Sequence, residues 1–127
     1  MKRGAYQFLF VALAIGALVG LYVANQSYRA HKERQQWMDQ LTADFNDPAA
    51  AQFRNLKQNY EALCGEVNGK NKFGAYVGFK RFYSGRSGAR MEPDVEEGLE
   101  PGSLEARAAA SNERIWRLIY DAKCSHD

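Results

Sequence analysis

Two cysteines, two histidines and three prolines are all that this 127-residue chain holds of the residues that build disulfide scaffolds, metal centres and proline-rich segments. Two cysteines are too few for a disulfide scaffold or for a zinc site of cysteines alone. Two histidines leave little material for a metal centre. Charge of one sign is lacking too: 17 Lys and Arg stand against 15 Asp and Glu, a net of +2. With 46% hydrophobic residues, that balance excludes a disordered, collagen-like or nucleic-acid-coating chain. The length allows one ordinary domain and something small beside it.

What the chain does have is a long apolar run. Lys2 and Arg3 precede residues 5–24, which carry no charge. About 20 apolar residues at 1.5 Å rise match a hydrocarbon core of roughly 30 Å. Tyr6 and Tyr22 lie near the two ends, where aromatic rings favour the membrane–water interface. A removed signal peptide shares the basic start and the apolar stretch. Cleavage after Ala24, however, would put the bulky Tyr22 where a small residue is wanted, and cleavage after Gly16 would cut within the run. The segment reads as an uncleaved transmembrane anchor, with residues 1–4 as a cytoplasmic basic tip. No cysteine stands directly after the run to receive a lipoprotein anchor. Ala12, Gly16 and Gly20 recur every four residues on one helix face, a spacing that lets two membrane helices approach and suggests a homodimer through the anchor.

Residues 25–46 turn polar but keep helical character, with Trp37, Leu41 and Phe45 at i, i+4 and i+8 and Met38 beside them. This stripe is expected to pack on the domain that follows. Arg29, Lys32 and Arg34 balance Lys2 and Arg3 across the anchor, so the positive-inside bias gives no orientation. Asp47-Pro48 is a cap followed by a favoured first helical residue and predicts a short helix over 48–56. The preceding helix then ends near Phe45 or Asn46.

Residues 62–67 and 75–83 read as a β-hairpin joined by 68–74, with Gly78 as a candidate bulge, Val77 and Phe79 on one face and Tyr76 and Phe82 on the other. Residues 84–102, rich in Gly and Pro, read as a flexible linker. Eight basic and two acidic residues lie between Arg54 and Arg90, whereas six acidic and no basic residues lie between Glu92 and Glu105. The acidic run is expected to be solvated and loosely matched to the hairpin, the sharper alternative being that it covers a basic surface. A closing helix is expected over 103–124, capped by Ser103, with Ile115, Leu118, Ile119 and Ala122 facing the core. The fold class is α+β: a transmembrane helix, then residues 47–127 as a small domain in which a hairpin is packed by a short helix and a C-terminal helix.

Cys64 in a core strand and Cys124 on the last helix are placed to form a disulfide, which would stabilise so small a domain by about 4 kcal/mol in the chain-entropy account. A disulfide needs an oxidising compartment and puts residues 25–127 outside the cytoplasm.

Asp47-Pro48 with Phe53-Arg54, then Cys64-Gly65-Glu66-Val67-Asn68, Lys70-Asn71, Gly74, Tyr76, Gly78-Phe79 and Phe82, with Trp116 and Cys124, resemble a family of small bacterial and prophage-encoded envelope proteins. Its members carry an N-terminal signal or anchor, and its two cysteines match the bridge proposed above. Ala49-Ala50, where small hydroxyl residues are common, and the long stretch after Tyr83 depart from that pattern. The resemblance implies location and fold and supplies no activity to carry over.

No catalytic residue, cofactor or metal is expected. His31 lies beside the membrane segment, His126 is next to last, and neither sits where a pocket would form. The polar cluster of Glu66, Asn68, Lys70 and Asn71 reads as turn-holding asparagines. The expected function is binding. An envelope protein partner would meet the surface around 68–72, which includes Lys72. In the alternative, an anionic ligand or glycan would meet Lys70, Lys72, Lys80 and Arg81. A prophage accessory role in modifying the host envelope is suggested by the resemblance alone, and nucleic acid is not an expected partner.

Overall fold

The computed structural model describes residues 3–94 and 98–125. Lys2 of the basic tip, Glu96 and Glu97 of the acidic run, and His126 lie outside them. The chain divides into two compact units, Met1–Gln35 and Gln36–Asp127.

The first unit is helical. Helix α1 (Arg3–Thr42) begins in it, and the side chains from Tyr6 to Ala30 are all exposed. Its apolar stretch is long and apolar enough to cross a membrane. In a bilayer a helix satisfies every backbone polar group internally, which makes this run of Leu, Val, Ala, Phe and Gly stable as a helix there.

The second unit holds the end of α1, a 3-10 turn (Pro48–Ala50), four strands and a second helix: β1 (Gln52–Gln58), β2 (Ala62–Asn68), β3 (Lys80–Gly85), β4 (Gly88–Met91) and α2 (Leu104–Cys124). The strands form one antiparallel sheet in the order β1-β2-β3-β4. Side chains alternate across it with period 2. Leu63, Val67 and Phe82 face one way and build a core with Trp37 and Leu41 from the last turns of α1. Ala62, Cys64 and Tyr83 face the other way and pack on Trp116, Ile119 and Tyr120 of α2. The Trp37–Leu41–Phe45 stripe thus packs on its own domain as expected, with Phe45 half-buried against that core. Fully buried Ser84 donates its hydroxyl to the Trp37 carbonyl at 2.7 Å, fastening α1 to β3.

Several boundaries differ from expectation. α1 ends at Thr42, whose hydroxyl turns back to the Met38 carbonyl at 3.0 Å. Asp47-Pro48 opens only the 3-10 turn, and the helix expected over 48–56 is replaced by β1. β1 carries a bulge. Arg54 pairs with Glu66 and Lys57 with Cys64, so Asn55 and Leu56 both stand opposite Gly65. Asn55 adopts φ 54°, and the extra residue brings Phe53 and Leu56 to the same face at a three-residue spacing that imitates a helix. A Cβ on Gly65 would lie 2.9 Å from Leu56 Cδ2 and 3.0 Å from the Arg54 carbonyl oxygen, so the bulge needs glycine beneath it. β3 begins at Lys80 rather than at residue 75. The stretch 84–102 is no uniform linker, because its first part completes β3 and forms β4 through a tight turn at Arg86-Ser87.

α2 begins as expected at Ser103, whose hydroxyl oxygen accepts the Ala106 N–H at 3.1 Å. Its buried face is rotated from expectation. Trp116 is the residue fully buried, while Ile115, Leu118 and Ala122 are exposed. Cys64 and Cys124 form the disulfide, with Cα atoms 5.9 Å apart. That bond fixes which side of α2 meets the sheet, since Trp116, Tyr120 and Cys124 follow one another at four-residue steps.

A loop held by asparagines and a paired basic strand

Residues 69–79 join β2 to β3 and carry three exposed large apolar side chains, Phe73, Tyr76 and Val77. The loop is built by its asparagines. Asn68, buried at the end of β2, accepts the Gly78 N–H on its side-chain oxygen at 2.9 Å. The Asn71 side-chain oxygen accepts the N–H groups of Phe73 and Ala75 at 3.0 and 3.1 Å, an Asx turn closed further by Asn71 N–H to the Ala75 carbonyl at 2.9 Å. Gly74 (φ 81°) and Gly78 (φ 102°) supply the left-handed conformations the path requires. The turn-holding roles expected of Asn68 and Asn71 are those the structure shows.

The base of the loop is fastened to the chain before β1. The Tyr76 hydroxyl donates to the Ala50 carbonyl at 3.1 Å, the Lys70 ammonium meets Asp47 at 3.3 Å, and the Phe45 ring lies against Gly69. The apex is left free to face outward. Phe73 is 82% exposed and Val77 55%, with Tyr76 nearly half exposed. Lys72 Nζ lies 5.2 Å from the Phe73 ring centroid and Lys70 Nζ 5.4 Å from that of Tyr76. Fixed backbone, exposed rings and adjacent ammonium groups make a preformed surface for apolar and anionic groups together.

The basic residues of β3 are differently employed. Arg81 donates to both carboxylate oxygens of Glu92, at 3.1 and 2.5 Å, while its guanidinium lies 5.2 and 5.4 Å from the ring centroids of Trp116 and Tyr120. The hydrogen bonds from Arg81 hold the Glu92 carboxyl below its ordinary pKa. Lys80 pairs with Asp94. The described start of the acidic run therefore covers cations of β3. Glu66, opposite Arg81 on β2, accepts from Arg54 Nε at 2.5 Å and Asn55 Nδ2 at 2.8 Å, and the Arg54 bond is the main cause of its lowered pKa. Arg54 in turn stacks on Phe79, 3.9 Å from its centroid.

Of the six residues expected to bind, Lys70, Asn71 and Lys72 belong to the loop, and Asn68 ends the strand that leads into it. Lys80 lies on the rim of a hollow of about 170 Å³ beside that loop, shared with Lys70, Val67 and Val77. Arg81, next along the strand, points to the opposite face. Phe73, Tyr76 and Val77 were not among the expected binding residues. The signal for them was aromatic and β-branched residues in a Gly- and Asn-rich segment; Phe73 falls in the expected turn 68–74, and the strand reading of 75–83 placed Tyr76 and Val77 on its two faces. On α1, Ala12, Gly16 and Gly20 are exposed, and a Cβ at either glycine would meet nothing within 4 Å. The chain matches no protein-family model, and no curated protein and no solved structure matches it.

Proposed function

We propose that this chain is a single-pass, membrane-anchored binding module of a bacterial envelope assembly. In this reading the N-terminus is cytoplasmic, the second unit lies on the extracytoplasmic side of the inner membrane, and the protein is not an enzyme. The observation that carries the binding role is the 69–79 loop: its backbone is pinned by Asn68 and Asn71 while Phe73 and Val77 face outward. A surface ordered before it binds loses little conformational entropy on capture, which favours recognition of a protein partner. Orientation rests on the Cys64–Cys124 bond, because disulfides persist in oxidising compartments. The bacterial envelope is what the resemblance implies.

The alternative receptor for a small anion or glycan would use Lys70 and Lys72 at the loop. It would engage Lys70, Lys80 and Arg81 only by displacing Asp47, Asp94 and Glu92. The protein-partner reading needs no such displacement.

Recovery of partners from detergent extracts of native membranes tests the reading, comparing the parent chain with Phe73→Ala/Val77→Ala and with Lys70→Ala/Asn71→Ala. Loss of the same partner from both variants is expected, and equal recovery would count against the loop. Labelling with a maleimide-polyethylene glycol, with and without prior reduction, tests the compartment: both thiols should label only after reduction.

A further inference from the structure

α2 presents a second seam that the sheet does not use. Leu104, Ala108, Ser111, Ile115, Leu118 and Ala122 follow one another at steps of 4, 3, 4, 3 and 4 residues, and all six are exposed. That is the a/d spacing of a coiled coil sustained along the whole helix, with no charge in it. The helix cannot rotate to bury it, because Trp116 is packed on the sheet and Cys124 is bonded to β2. We infer that this seam is an interface with a second copy of the same chain, the two α2 helices pairing antiparallel along their full length.

Side-chain volume selects this occupant and this direction. In the antiparallel, fully overlapped alignment Leu104 meets Ala122, Ala108 meets Leu118 and Ser111 meets Ile115, so every layer sets a large residue against a small one. Facing layers of that kind interdigitate without voids. The parallel, in-register alignment would instead stack Leu on Leu and Ala on Ala, alternating crowded and hollow layers. Charge agrees with the antiparallel choice. Arg107 and Asp121 flank the seam on one side and lie opposite each other between copies, twice by symmetry, against a single meeting of Arg114 with itself at the axis. The parallel alignment sets Arg107 against Asn112 and Arg114 against Ile119 and forms no ion pair. The seam is only three heptads long, so the contact is weak between free molecules. Confinement to one membrane raises the effective concentration towards the millimolar range, the one point at which the inference draws on the anchor.

Pairwise cysteine cross-linking of the full chain in native membranes tests this. Ser111→Cys and Ile115→Cys chains with different tags, expressed together and oxidised, should give a mixed dimer well above an Arg117→Cys pair, with a 111–115 linked peptide on mapping. Leu118→Asp should abolish it while leaving the thermal midpoint unchanged, since Leu118 is 66% exposed. Arg107→Asp should weaken the link, and adding Asp121→Arg should restore it. A yield no greater than the Arg117→Cys control, linkage of position 115 to a different protein, or loss of the link with Gly16→Leu but not with Leu118→Asp would each overturn the inference. If the chain is recovered in the soluble fraction the anchor reading fails, and the 111–115 link still decides the seam.

Discussion

The side-chain oxygen of Asn68 accepts the Gly78 N–H at 2.9 Å, and with the Val77 N–H on the Gly69 carbonyl at 3.2 Å this bond closes the neck of the loop that carries the exposed rings. Asn68 is 7% exposed, so removing its amide leaves a donor with no protein partner in place of a made bond. Asn68→Ala should cost about 1–3 kcal/mol. It should also raise hydrogen exchange of the 69–79 amides far more than that of β2. Uniform exchange across both segments would mean the loop is held by its Tyr76 and Lys70 contacts instead.

Gly65 stands beneath the bulge of β1, with room for nothing but hydrogen between it and Leu56. Gly65→Ala should therefore destabilise the domain by about 1–3 kcal/mol, the usual cost of overpacking. Pairing it with Leu56→Ala should recover part of the loss, because the shared space is what the two side chains contest. A double-mutant cycle in urea measures that coupling, and strict additivity would show that backbone contacts with Arg54 and Asn55 dominate.

The helix expected over 48–56 shows where the sequence misleads. Asp47-Pro48 is a helix-opening pair, yet it opens only a 3-10 turn and the residues after it pair with β2; the inserted residue at Asn55 then lets Phe53 and Leu56 reach one core. The Ser103 cap and the Trp37–Leu41–Phe45 stripe were legible because each rests on local chemistry or spacing, and the Cys64–Cys124 bridge because the chain holds only two cysteines to pair. The rotation of α2 was legible in principle, from Cys124, Tyr120 and Trp116 at four-residue steps, but Ile115 and Leu118 are the more apolar residues and draw attention to the wrong face. The exposure of Phe73 and Val77 was not legible, since it depends on side-chain bonds of Asn68 and Asn71 that turn the chain out of the sheet.

Reduction offers a direct test of how the small domain is stabilised. The Cys64–Cys124 bond closes a loop across 60 positions and joins sheet to helix. On the chain-entropy account its loss costs about 4 kcal/mol, which lowers the melting midpoint of a domain this size by roughly 15–30 °C. Thermal unfolding followed with and without reductant should show a drop of that order, and Cys64→Ser/Cys124→Ser should reproduce it without reductant. An unchanged midpoint would mean that Trp116 and Tyr120 hold α2 unaided.

Acid should act on Glu92 and Glu66. Both carboxyls titrate below the ordinary glutamate value in the folded chain, Glu92 through hydrogen bonds from Arg81 and Glu66 through Arg54. A lowered folded pKa gives stability that is complete above the unfolded pKa and is lost as pH falls through the folded one. Stability should thus be flat near neutrality and decline below the ordinary carboxylate range. Glu92→Gln should lower the neutral plateau slightly and shallow the acid decline. An acid limb of unchanged slope would assign the loss to other carboxyls.

The domain's true start follows from its core. Trp37 and Leu41 are 6% and 7% exposed and pack against Leu63, Val67 and Phe82, while the Trp37 carbonyl accepts the buried Ser84 hydroxyl. A fragment of residues 47–127 lacks those side chains and exposes one whole face of the sheet to water. At about 1.5–3 kcal/mol for each large apolar side chain buried, that loss is comparable with the entire stability of a small domain. The 36–127 fragment should give a cooperative melt and dispersed amide resonances, and the 47–127 fragment neither. Leu41→Ala in the longer fragment should fall between, at a cost of about 2–5 kcal/mol. A cooperative melt of 47–127 would show that α2 and the disulfide suffice, and that the end of α1 covers the sheet without being needed to fold it.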